Sequence, residues 1–134
     1  MPFKKLFQPT PKPTDGLTQA AREAIVDVLH YVMYADKHIA AREDAFIEAT
    51  ARSFNWDANI SYEYYEGKST GAVTRALSDA KVSEAFFQSL KERLTAPSNR
   101  DLALKLASDL AESDGQARQS EASVIAKLRS VLQG

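Results

Sequence analysis

An all-α domain of about seven helices is the fold this sequence predicts, on three observations. Apolar residues recur at three- and four-residue steps through most of the chain. Strand-like alternation occurs only over Ile60, Tyr62 and Tyr64. Two segments 78 residues apart repeat one helix-turn-helix pattern. At 134 residues, such a chain can bury roughly two-thirds of its unfolded surface in one core. A hydrophobic fraction of 44% against 26% charged is globular rather than disordered.

Residues 1–15 read as a flexible tail, because Pro9, Pro11 and Pro13 deny helical hydrogen bonds and favour extended backbone. The domain then spans 16–134. Thr18 is placed to cap a helix through Tyr34, with Ile25, Val28, Leu29 and Val32 as its apolar stripe. After the turn Asp36-Lys37-His38, a second helix is expected from about Ala40 to Phe54, with Ala45, Phe46, Ala49 and Thr50 inward. Trp56 should pack near its end. Over 56–67 a short helix capped by Ser61, with Ile60 stapled on Tyr65, competes with a strand, and the helix is preferred. Gly67 and Gly71 predict a break, followed by a brief helix through Val73, Ala76 and Leu77.

From Ser83 to about Thr95, Phe86, Leu90 and Leu94 recur every four residues, and Pro97 stops the helix. Ser98 with Asp101 should open the next one, in which Leu102, Leu106 and Leu110 form one row and Ala103, Ala107 and Ala111 another. The last helix is expected over Gln119 to Leu132, with Ile125, Leu128 and Leu132 inward.

The two copies, Val28 to Phe54 and Leu106 to Leu132, align without a gap. One turn reads Tyr34-Ala35-Asp36-Lys37-His38-Ile39 with Glu43 following, and the other Glu112-Ser113-Asp114-Gly115-Gln116-Ala117 with Glu121 following. A duplicated helical hairpin is implied. The pattern resembles the tellurite-resistance TerB-like family, whose members carry two helical hairpins with an Ala-Asp-Gly turn and a Glu seven positions beyond the Asp. The second copy keeps Asp114, Gly115 and Glu121; the first keeps Ala35, Asp36, Ile39 and Glu43 but has Lys37 in place of the glycine. The resemblance covers most of residues 17–134 and implies a seven-helix bundle, an acidic surface suited to divalent cations, and non-enzymatic roles beside membrane-associated, stress-response and J-domain proteins. Lys37 beside Asp36, and Ala40 and Arg118 where a capping hydroxyl is usual, depart from the family.

The candidate metal site is Asp36, Glu43, Asp114 and Glu121: if the hairpins pair about a pseudo-twofold axis, four carboxylates supply hard oxygens for weakly bound calcium or magnesium. The same residues also read as helix caps, each Glu reaching back to a cap amide and each Asp accepting amides of its turn. His38 sits beside Asp36 as a solvated turn histidine or an added ligand, and His30 reads as a satisfied, partly buried core residue. Trp56, Tyr62, Tyr64 and Tyr65 either roof the core or present aromatic anchors to a peptide.

A net charge of −1 and no basic stripe argue against nucleic acid. The absence of cysteine excludes a disulfide framework, a thiolate nucleophile and a sulfur-ligated zinc site, and fits the cytosol. There is no nucleophile elbow, phosphate-cradling loop or HExxH helix, so no catalytic residues are assigned. Pro2 in place of glycine rules out myristoylation, and no apolar run suits a signal peptide or a membrane span. Phe3, Leu6 and Phe7 with Lys4 and Lys5 offer at most a weak contact to an anionic membrane. The expectation is a cytoplasmic interaction domain that binds another protein. A membrane-proximal adaptor with purely structural acidic turns is the alternative.

Overall fold

A computed structural model describes residues 16–35, 41–113 and 119–133, the first three of the last stretch as backbone only. Six helices form among them: α1 (Gln19–Ala35), α2 (Ala41–Ser53), α3 (Tyr62–Ser78), α4 (Ala80–Arg93), α5 (Pro97–Glu112) and α6 (Gln119–Gln133). No strand occurs among the described residues. The all-α expectation holds. The proline-rich tail and both acidic turns lie outside the described residues.

α1 is the axis, packing against each of the other five helices. Thr18 caps it as expected, its hydroxyl accepting the Ala21 amide at 3.1 Å. The sequence suggests one apolar stripe, yet all ten residues from Ala24 to Met33 are buried. A helix enclosed on every side buries its polar positions too, and Asp27 and His30 go in with the rest.

The duplicated hairpin is visible in the helix bounds. Shifting α1 and α2 by 78 residues brings their starts onto the starts of α5 and α6, Pro97 and Gln119. Burial matches in the first helix of each copy, Ile25 with Ala103, Leu29 with Ala107 and Val32 with Leu110, but only in part in the second, where Phe54 matches Leu132 while Ala51 is buried and Arg129 exposed. Helices α1 and α5 pack directly, joining the two hairpins. On α5 the alanine row is the buried one, with Leu104 and Leu110, while Leu102 and Leu106 are partly covered. Small side chains there let neighbouring backbones approach closely.

Four details correct the sequence expectation. On α2 the inner row is Glu43, Ile47 and Ala51, while Ala45 and Ala49 are exposed and Phe46 and Thr50 half-buried. The apolar pattern alone placed the stripe one position away, because it gave the inner row no carboxylate. Helix α4 starts at Ala80, earlier than Ser83, because the Asp79 carboxylate accepts the amides of Lys81 and Val82 at 2.8 and 3.2 Å. Helix α5 starts at Pro97, whose missing N–H costs nothing in a first turn, and has no side-chain cap.

The last correction concerns 56–82. Ser61 caps a helix, its hydroxyl accepting the Tyr64 amide at 3.0 Å, but the helix does not stop at the glycines. It continues for 17 residues through Gly67 and Gly71, so two of the seven expected segments are one. Only Asp79, extended at φ −143°, separates α3 from α4. Glycine weakens a helix by about 1 kcal/mol relative to alanine, and packing of α3 on both α1 and α4 overrides that. At Gly67 an added methyl would meet nothing within 4 Å. Gly67→Ala should therefore stabilise the protein by about 0.5–1 kcal/mol in urea unfolding; a loss of stability would show that α3 needs glycine there.

Arg100 closes the bundle. Its guanidinium donates to the carbonyls of Lys91 and Leu94 at the end of α4 and to that of Leu132 at the end of α6, at 3.1, 2.5 and 2.9 Å. These are end-of-helix carbonyls that would otherwise lack partners.

Candidate functional site

Of the four predicted cation ligands, Asp36 and Asp114 lie outside the described residues. Glu121 stands in the first turn of α6, and its side chain also lies outside them. Glu43 occupies the first turn of α2 and is 1% exposed, so it points into the fold and not to solvent. Among the described residues no three His, Asp or Glu side chains cluster as a metal site. His38 lies outside them as well.

His30 is fully buried in the middle of α1. Its Nδ1 is 2.8 Å from the Ser69 hydroxyl on α3, and its Nε2 has no hydrogen-bond partner among the described residues. Burial pushes its pKa down to about 4 against the attraction of Asp27 and Asp44. A charged ring would lose its solvation, and of its two N–H groups only the one facing Ser69 would have an acceptor, so burial favours the neutral form.

Next to this pair runs a polar network that joins three helices. Asp27 on α1 accepts the Tyr65 hydroxyl of α3 at 2.9 and 3.0 Å on its two oxygens. Arg93 on α4 donates to Asp27 at 2.7 Å, to the Tyr65 oxygen at 3.2 Å and to the Ser89 carbonyl at 3.3 Å. The Asp27 side chain is 5% exposed and that of Arg93 21%, so solvent screens the pair little. Burial and the Asp27 carboxylate hold the Tyr65 phenol well above its ordinary range, so it stays a donor.

These residues floor a groove between α1, α3 and α4. Its middle is about 500 Å³ and is lined by Glu23, Asp27, Lys68, Ser69, Arg75 and Arg93 among others. At one end it continues past Tyr65 and Lys68 to Ile60, Ser61 and Tyr64. At the other it passes Arg75 and Ser89 to Val82, Ala85 and Phe86. Gly67, Gly71 and Ala72 line it from α3. The Arg75 guanidinium lies 3.4 Å from where a Gly71 methyl would stand, folded back along its own helix.

The expected aromatic cluster divides. Tyr62 and Tyr65 are buried with Val26 and Ala51, and Trp56 packs against both rings at 6.0 and 5.9 Å, so these three roof the core. Tyr64 is 66% exposed at the mouth of the groove. Reading the sequence singled out none of Asp27, Lys68, Ser69, Arg75, Ser89 or Arg93. The available signal was Gly67, Gly71 and Ala72 at helical spacing, which leaves one face of α3 with little side-chain volume.

The fold and groove define a class: an all-helical domain built on a duplicated hairpin, with a polar cleft along its central helix. No protein-family model, no curated protein and no solved structure matches the chain. Among the described residues no helix is long and apolar enough to cross a membrane.

Proposed function

We infer that this chain is a non-enzymatic, TerB-like interaction domain of the cytoplasm, linked to stress or tellurite resistance, that holds another protein and carries a weak divalent-cation site at its repeated acidic turns. One observation carries the interaction reading: the groove along α1, α3 and α4 is open and continuous, with exposed Tyr64 at one end and exposed Val82 at the other. Partly exposed aromatic and aliphatic side chains around a concave, polar-floored surface are what a docking segment needs.

The cation reading is supported by the 78-residue repeat of the sequence, in which Asp36 aligns with Asp114 and Glu43 with Glu121. Glu43 would contribute its buried carboxylate from the first turn of α2, and Glu121 would add its own from the first turn of α6. Calcium or magnesium would neutralise like charges there and draw the two hairpins together.

Amide NMR titration with calcium and with magnesium tests the cation site, on wild type and on a variant carrying Asp36→Asn and Asp114→Asn. Saturable shifts at both turns, lost in the variant, are the expected result, with a dissociation constant no weaker than about 1 mM, the weak end of calcium modules. If nothing saturates below several times that concentration, the carboxylates act as helix caps and no cation belongs to the function.

A further inference from the structure

The groove carries charge that the fold does not use. It is lined by two carboxylates, Glu23 and Asp27, and three cations, Lys68, Arg75 and Arg93. Asp27 and Arg93 satisfy each other within the network with Tyr65. Glu23 accepts from Gln19 at 3.1 Å, on the same stretch of groove as Lys68, whose ammonium sits 5.7 Å from the Tyr64 ring centre. Arg75 stands at the opposite stretch, exposed, where the only carboxylate in the lining is the one already held by Arg93. Among the described residues Arg75 has no carboxylate within ion-pair distance.

Around Arg75 the chemistry is specific. Ser89 offers a hydroxyl, and Val82, Ala85 and Phe86 form an apolar shelf on α4. With no side chain at Gly71, one nitrogen of the Arg75 guanidinium comes to 3.4 Å of where a methyl there would stand, and the side chain lines the groove. A planar donor fork backed by a low-polarity wall suits a carboxylate better than a point charge. From Ser61 to Arg75 the lining of α3 covers about 20 Å at 1.5 Å per residue, the span of about six residues of extended chain.

We propose that this groove docks an extended acidic segment of a partner protein, with Arg75 taking an aspartate or glutamate carboxylate and the Val82–Phe86 shelf taking the apolar residue beside it. The proposal rests on the interaction reading and adds the chemistry of the partner. The acidic character follows from charge complementarity, since Arg75, the one charge lining the shelf that the Asp27–Arg93 pair does not use, is positive.

The test uses the whole chain and three blocked eight-residue peptides in which leucine alternates with aspartate, with asparagine or with lysine, followed by amide shifts. The aspartate peptide should saturate, moving Lys68, Ser69, Ala72, Arg75 and Ser89, and should bind about tenfold more tightly than the asparagine peptide. Arg75→Glu, a change at an exposed position that leaves the Asp27 network intact, should abolish that preference and turn it toward the lysine peptide. Equal binding of aspartate and asparagine peptides in the groove overturns the acidic partner and leaves the interaction reading standing. Shifts with none of the three peptides overturn both.

Discussion

Asp27→Ala should destabilise the protein by about 3–5 kcal/mol, because it leaves the Arg93 guanidinium buried without its counter-charge. It also removes the acceptor of the Tyr65 hydroxyl. The loss should appear as a large fall in the urea midpoint with little change in slope. A loss below about 1 kcal/mol would mean that Arg93 escapes to solvent and the pair behaves like a surface salt bridge. The companion experiment adds Arg93→Met: with both charges gone, much of the stability should return, since buried ion pairs are often replaceable by apolar residues of similar size. Such recovery would place the value of this network in fixing how α1, α3 and α4 meet, and hence the floor of the groove.

Acid should remove about 3 kcal/mol of stability through His30 alone. Its folded pKa of about 4 lies below the ordinary 6.5, so the unfolded chain takes up the proton first as pH falls. The His30 contribution is therefore complete above about pH 6.5 and declines between there and pH 4, the window in which only the unfolded state binds the proton. Stability measured against pH for wild type and for His30→Gln, compared as a difference, isolates this ring from His38 and the carboxylates. A flat difference across that window would show that the buried imidazole finds an acceptor when charged.

How far the molecule can be read from its sequence differs element by element. The hairpins were legible because they rest on local periodicity and on a register that repeats, and both survive in the helix bounds. Helix α4 was legible from Phe86, Leu90 and Leu94, whose four-residue spacing has one interpretation. Helix α3 was broken at Gly67 and Gly71 because glycine propensity is a local quantity, whereas the contacts that keep α3 whole come from α1 and α4. The groove was illegible for the same reason. Asp27 and Arg93 are 66 residues apart, and Tyr65 lies 38 residues from Asp27. Nothing in the spacing of charges tells which distant partners will meet inside. Glu43 misled in the opposite direction: a carboxylate in a first helical turn is expected on the surface, and here it occupies the inner row.

The central position of α1 has a consequence for the chain's biogenesis. Its ten-residue run from Ala24 to Met33 is covered in part by α5, the matching helix 78 residues further along. At translation rates of about 5–20 residues per second, α1 waits about 4–16 s for α5 and longer still for α6, its last neighbour, to emerge from the ribosome. For that interval the most apolar segment of the domain is a nascent amphiphile with its final partners unmade. The residues that anchor the finished core are thus the ones of this domain that need shielding for longest during synthesis.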